Sequence, residues 1–144
     1  MENSTRHGHQ GSRRIGVGLA GGVLGAAAIA LAGPQTADAA VNQLSATPNI
    51  NFGSATNYGT GCGGQLQADV TDPVAPVTFY DNGVPIGTAN PGGAYALLAW
   101  TPGQPGVHHL AAVQAGQAGG KAAGLDLRVG SGLPIGFGCL VGGG

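Results

Sequence analysis

Charge is what this sequence has least of. Only 8% of its 144 residues are Asp, Glu, Lys or Arg, and the formal net charge is -1. The basic residues are split, with Arg6, Arg13 and Arg14 at the front and Lys121 and Arg128 far behind, so no basic patch is available to follow a nucleic-acid backbone. After residue 39 the acids are Asp69, Asp72, Asp81 and Asp126, each on a different segment. That spacing provides neither the paired carboxylates of general acid–base catalysis nor a spaced acidic loop for calcium. Serines lack a G-x-S-x-G setting, which excludes the best-known nucleophile turn. Cysteine is limited to Cys62 and Cys139, and the histidines lie elsewhere, which argues against a Cys-based metal site. Helical periodicity is also missing. No cofactor, catalytic residue or metal ligand is expected.

Glycine and proline, by contrast, are abundant, at 30 and 9 residues. Such a composition calls for many turns between short segments. Gly59-Thr60-Gly61-Cys62-Gly63-Gly64 satisfies G-x-G-x-x-G, but the dinucleotide fingerprint needs a strand before it and a helix after it, and the sequence offers neither.

Residues 1–39 have the layout of an export signal. Arg13 and Arg14 close a polar lead, Ile15 to Ala32 is an uncharged run of 18 residues, and Gly33-Pro34 precedes the A-x-A site Ala37-Asp38-Ala39. Cleavage is expected after Ala39, by the Sec or the twin-arginine route, with retention as a membrane anchor the alternative. Removal would leave 144 − 39 = 105 residues with two cations against four acids, a net charge of -2, and no stable membrane span. A chain of that size buries roughly two-thirds of its unfolded surface, enough for one modest core. In an oxidising compartment Cys62 and Cys139 are expected to form one disulfide, closing a loop of 139 − 62 + 1 = 78 residues; two free buried thiols are the alternative.

The clearest structural signal is Val77 to Thr88, two β-type segments flanking Asn82-Gly83. Asn and Gly tolerate the positive φ angles of a type I′ turn, which predicts a hairpin pairing Asp81 with Val84, Tyr80 with Pro85 and Phe79 with Ile86. Val77, Phe79 and Ile86 then face the core. Tyr80 and Pro85 face outward, and Pro85, lacking an N–H, places its strand at a sheet edge. Elsewhere, Ile50 and Phe52 mark a first strand, and Leu66, Ala68 and Val70 a second. In the next strand Ala96, Leu98 and Trp100 share one parity and the equally apolar Tyr95, Leu97 and Ala99 the other, with the bulk of Trp100 favouring the first as the inward one; His108, Leu110 and Ala112 share a parity in the strand after it, and Leu125, Leu127 and Val129 alternate in the last. Asp72-Pro73 forms a bend. With Tyr80 outward and Trp100 inward, the aromatics form no single stripe for a polysaccharide. Adjacent His108 and His109 point to opposite faces and do not chelate together; His108 reads as a packed or hydrogen-bonded structural residue and His109 as an exposed one.

Seven short strands at intervals of roughly ten residues indicate an antiparallel sandwich. The series Pro76-Val77-Thr78-Phe79-Tyr80-Asp81-Asn82-Gly83, Ile86-Gly87-Thr88-Ala89, Gly92-Gly93-Ala94, Leu98-Ala99-Trp100-Thr101-Pro102 and Pro105-Gly106-Val107-His108-His109-Leu110-Ala111-Ala112 resembles the bacterial immunoglobulin-like repeat of surface and secreted proteins. The resemblance covers about residues 62–130; Pro105 stands where that family commonly has Ala, and His108 at its habitual His. It implies an all-β, seven-stranded antiparallel immunoglobulin-like sandwich over residues 40–130, with no catalytic machinery. The glycines of 131–144 point to a flexible tail tied down by Cys139. The expected role is contact with a protein or polysaccharide of the cell envelope, with Tyr80 and Pro85 the candidate surface and no nucleic-acid partner. A carbohydrate-binding module for cell-wall polysaccharide and a small extracellular inhibitor are the alternatives.

Overall fold

The computed structural model describes residues 38–118 and 122–143. Arg13, Arg14 and the apolar run 15–32 of the expected export signal lie outside the described residues. Ala39, the expected cleavage position, lies inside them, two residues ahead of the first strand, so cleavage there would leave every strand whole.

Ten strands form three sheets among the described residues: β1 (Val41–Pro48), β2 (Asn51–Gly53), β3 (Gly64–Val70), β4 (Val77–Asp81), β5 (Val84–Ala89), β6 (Tyr95–Trp100), β7 (Gly106–Gln114), β8 (Ala123–Val129), β9 (Ser131–Ile135) and β10 (Gly138–Gly142). Sheets β1-β3-β6 and β5-β4-β7-β8 enclose the main core, and β2-β10-β9 is a small third sheet. The chain crosses between the two large sheets after β3, β5 and β6, the connectivity of an immunoglobulin-like sandwich.

Alternation explains most of the core. Leu66, Ala68 and Val70 from β3 meet Val77 and Phe79 from β4, Ala96 and Trp100 from β6, and Leu110 and Ala112 from β7. Phe79, Leu66 and Leu110 are completely or almost completely buried, each contributing roughly 1.5–3 kcal/mol of transfer free energy. The opening hairpin forms as its turn chemistry requires: Asn82 and Gly83 both have positive φ, at 50° and 79°. The Asn82 side chain also accepts from the His109 amide at 3.0 Å, tying the tip to β7. β5 is an edge strand, which is where Pro85 can sit without breaking a ladder.

Several expectations are corrected. Phe79 pairs with Gly87 and not with Ile86, because an irregularity in β5 inserts one residue opposite the Phe79–Tyr80 step and turns Ile86 out to 38% exposure. Gly87 packs closely there: a Cβ would sit 2.8 Å from a methyl of Leu98 on β6, which would have to shift to admit it. The first strand is Val41–Pro48, not the stretch around Ile50 and Phe52. Its buried residues, Val41 and Leu44, are three apart because a bulge at Asn42 shifts the register with β3. Ile50 and Phe52 are exposed. The Gly-rich end is a two-residue hairpin with Gly136 at positive φ, and β10 runs parallel to β2. Sheet pairing therefore organises 131–142, where a flexible tail was expected.

Candidate functional site

The expected disulfide forms. Cys62 and Cys139 are bonded with Cα atoms 5.8 Å apart, and with Val141 they make a second small core beneath the third sheet. Glycine is what allows the chain to close around the sulfurs. A Cβ at Gly132 would overlap both the Thr60 carbonyl and the Cys62 sulfur. Gly59, from the G-x-G-x-x-G match, bridges Gly130, and a Cβ there would lie 2.9 Å from the Cys62 sulfur, so Gly59 and Gly132 serve packing.

Trp100, Asp81 and His108 form a polar node at one end of the main core. Inward parity on β4 carries Asp81 past Phe79 into the space between the sheets. There its carboxylate accepts from Trp100 Nε1 at 3.1 Å and lies 2.7 Å from His108 Nδ1. His108 Nε2 faces the Gln104 carbonyl at 2.8 Å. A carbonyl only accepts, so Nε2 carries a proton, and both ring nitrogens are engaged. The Trp100 and His108 rings meet edge to face at 5.7 Å, and the Tyr58 ring lies tilted 6.2 Å from Trp100. Burial raises the Tyr58 phenol above its ordinary pKa, and its hydroxyl donates to the Ala46 carbonyl at 2.8 Å. This node joins β4 and β7 of one sheet to β6 of the other. His108 is thus a structural residue, whereas Asp81, expected only at the hairpin entrance, is the hub.

Gln114 is a second buried polar group, and its side chain was not singled out by sequence. Its amide donates to the carbonyls of Asp72 and Ala75 at 2.6 and 2.9 Å, holding the bend that Asp72 itself caps through the Val74 amide at 2.8 Å. The residue falls on the inward parity of β7, which is the one sequence signal that marks it. Among the described residues no buried side-chain nitrogen or oxygen lacks a partner, and no three His, Cys, Asp or Glu gather in one place.

The surface residues fall into two groups. Tyr80 and Pro85 are cross-strand neighbours on the outer face of the four-stranded sheet, Tyr80 half-buried and Pro85 exposed. His109, on the same face of β7, pairs with Asp126 at 2.7 Å in full view of solvent. The second group is on the third sheet: Phe52, Leu133 and Leu140 form one exposed row across its three strands. One hollow, of about 120 Å³ beside the disulfide, is below the roughly 300 Å³ of a small-molecule site. The other, about 340 Å³, is walled by Pro105, glycines 106, 130, 142 and 143, Val129 and Ser131, with Arg128 its single charged residue. No helix among the described residues is long and apolar enough to cross a membrane.

No protein-family model and no curated protein matches this chain. Among solved structures it is similar to the solution NMR structure of a CARDB domain from Pyrococcus furiosus, at 16% identity and a TM-score of 0.40, over 64% of this chain and 94% of that one.

Proposed function

We propose that this chain is an exported, non-enzymatic immunoglobulin-like module acting through structural or adhesive contacts at the bacterial cell envelope or outside it. The observation that carries this reading is the closed polar interior. Asp81, His108, Trp100 and Gln114 spend their hydrogen bonds on one another and on the backbone, so the interior's polar chemistry holds the sandwich together. What is left to act is the surface. The Cys62–Cys139 bond supports export, since such bonds persist in oxidising compartments. The Tyr80 and Pro85 face lies next to the β5 edge, whose unpaired backbone groups are open to a partner strand.

Crosslinking and pull-down of the protein in its native envelope tests the proposal. A discrete protein or polymer should be captured, with capture falling at least about fivefold for Tyr80→Ala, the loss of one aromatic anchor. Capture unaffected by that change would move the contact off this face. Turnover on a broad hydrolase panel that vanishes in Asp69→Asn would overturn the non-enzymatic reading.

A further inference from the structure

Asn82 is the one asparagine in the chain followed by glycine, and both residues are exposed at the tip of the β4–β5 hairpin. That pair is chemically reactive. Asparagine is a labile residue, and a glycine after it leaves the next main-chain nitrogen unshielded, free to close on the side-chain carbonyl carbon. Nothing crowds the place: among the described residues a Cβ built at Gly83 would have no neighbour within 4 Å, and no hydrogen bond holds the Gly83 N–H. The turn type decides how the reacting atoms stand. Positive φ at both Asn82 (50°) and Gly83 (79°) marks type I′, because the other tight hairpin turn, type II′, has negative φ at its second position. In type I′ the first residue has ψ of about +30°, which puts its Cβ and the next nitrogen on opposite sides of the Cα–C bond; ψ of about −120° in type II′ puts them on the same side. Two hydrogen bonds fix the first arrangement. The Asn82 N–H donates to the His109 carbonyl at 2.9 Å, and Asn82 Oδ1 accepts from the His109 N–H at 3.0 Å.

We propose that Asn82 is a self-modification site, converted to aspartate and isoaspartate when the Asn82–Gly83 peptide unit flips from type I′ to type II′ geometry. The flip needs no change of strand pairing, since both turns close a two-residue hairpin and glycine accepts φ of either sign. It does require Asn82 Oδ1 to leave the His109 N–H. The Gly83 nitrogen, giving its proton to water, bonds to Asn82 Cγ, and the Cγ–Nδ2 bond breaks with release of ammonia. Water adds to the five-membered imide so formed. Ring opening at Cγ leaves an ordinary aspartate; opening at the main-chain carbonyl carbon routes the chain through the side chain and leaves isoaspartate. No oxidant or reductant enters. Isoaspartate adds one atom to the main chain, so a two-residue type I′ loop no longer fits and the change is not reversed by refolding. Both products also set a carboxylate on a tip residue that was neutral, next to Asp81 in the chain and beside His109, whose ring pairs with Asp126. The tip adjoins the Tyr80 and Pro85 face, which therefore changes in charge as the protein ages. The reaction goes beyond the contact role proposed above and does not depend on it.

Prolonged incubation of the full chain at neutral pH, folded and in urea, followed by peptide mapping in a mass spectrometer, tests the proposal. In urea Asn82 should convert at least about tenfold faster than Asn49, Asn51 or Asn57, which precede Ile, Phe and Tyr. In the folded chain the same residue should convert about ten to a thousand times more slowly, as a flipped turn populated at roughly 0.1–10% dictates. Gly83→Val, read in urea so that its effect on the turn is irrelevant, should slow conversion about tenfold or more by crowding the attacking nitrogen. Equal rates in the folded and unfolded chain overturn the guarding by the type I′ turn. No preference for Asn82 in urea, or a rate indifferent to Gly83→Val, overturns the site. A peptide flip exposes little surface, so the folded rate should stay level as urea is raised below the unfolding transition; a rate that instead climbs with global unfolding overturns the flip.

Discussion

Removing the Asp81 carboxylate should cost this protein about 4 kcal/mol, a large part of the stability of a domain this size. Asp81→Ala removes the carboxylate that accepts from the buried Trp100 Nε1–H at 3.1 Å and lies 2.7 Å from the buried His108 Nδ1. A buried polar group left without its partner costs roughly 1–3 kcal/mol, so two cost roughly 2–6. Backbone pairing at residue 81 is untouched, since it runs to Val84 and Leu110 through main-chain atoms. Trp100 is the single tryptophan, so urea unfolding followed by its fluorescence reads the node directly. The midpoint should fall while the slope with denaturant stays constant, because the surface exposed on unfolding is unchanged. Asp81→Asn keeps the shape and one acceptor oxygen, and should recover roughly half the loss. Combining Asp81→Ala with His108→Ala should cost less than the two singles together, by roughly 1–3 kcal/mol, because they share a bond. An Asp81→Ala loss below about 1 kcal/mol, or full additivity, would refute the claim that this node ties the sheets together.

Thiol counting on the denatured, unreduced protein should find no free thiol, and replacing both Cys62 and Cys139 with Ala should cost about 4 kcal/mol by the loop-entropy estimate, read as a lowered urea midpoint. Gly132→Ala should destabilise by roughly 1–3 kcal/mol or more, because the new methyl meets the Thr60 carbonyl and the Cys62 sulfur and neither can yield cheaply; an unchanged melting temperature would contradict that packing. Gln114→Leu should cost roughly 2–4 kcal/mol by stripping the Asp72 and Ala75 carbonyls of their buried donor, with hydrogen exchange rising first in the 72–76 bend. In alkaline solution the folded Tyr58 phenol resists ionisation more than the unfolded one does. Its contribution is therefore complete below the ordinary value of 10.0 and is lost as pH rises through the higher folded value. Tyr58→Phe should remove that part of the high-pH loss in unfolding titrations.

Strict period-2 alternation marks the inward residues of β3 and β8, where Leu66, Ala68 and Val70, and Leu125, Leu127 and Val129, fall two apart. In β6 both parities are apolar, and the bulk of Trp100 is what favours the inward side it takes. Sequence and structure part where alternation breaks. The Asn42 bulge separates Val41 from Leu44 by three residues and hides β1, and an extra residue in β5 shifts the pairing and turns Ile86 outward. A bulge leaves no residue type of its own behind; it shows only against the partner strand.

Features that depend on neighbours along the chain are legible from residue types: the type I′ turn at Asn82-Gly83, the inward parity of strictly alternating strands, the edge role of Pro85 and the bend at Asp72. Tertiary structure alone decided which distant residues meet. It brought Asp81, Trp100 and His108 to one node from three strands, and it made a sheet of a Gly-rich end by pairing β10 with a β2 that lies about 90 residues earlier in the chain. The physical reason is the same in both cases. A turn or a parity is set by local sterics and a period of two, whereas a long-range hydrogen bond or sheet pairing becomes favourable only after the whole core has closed and excluded water from its donors and acceptors.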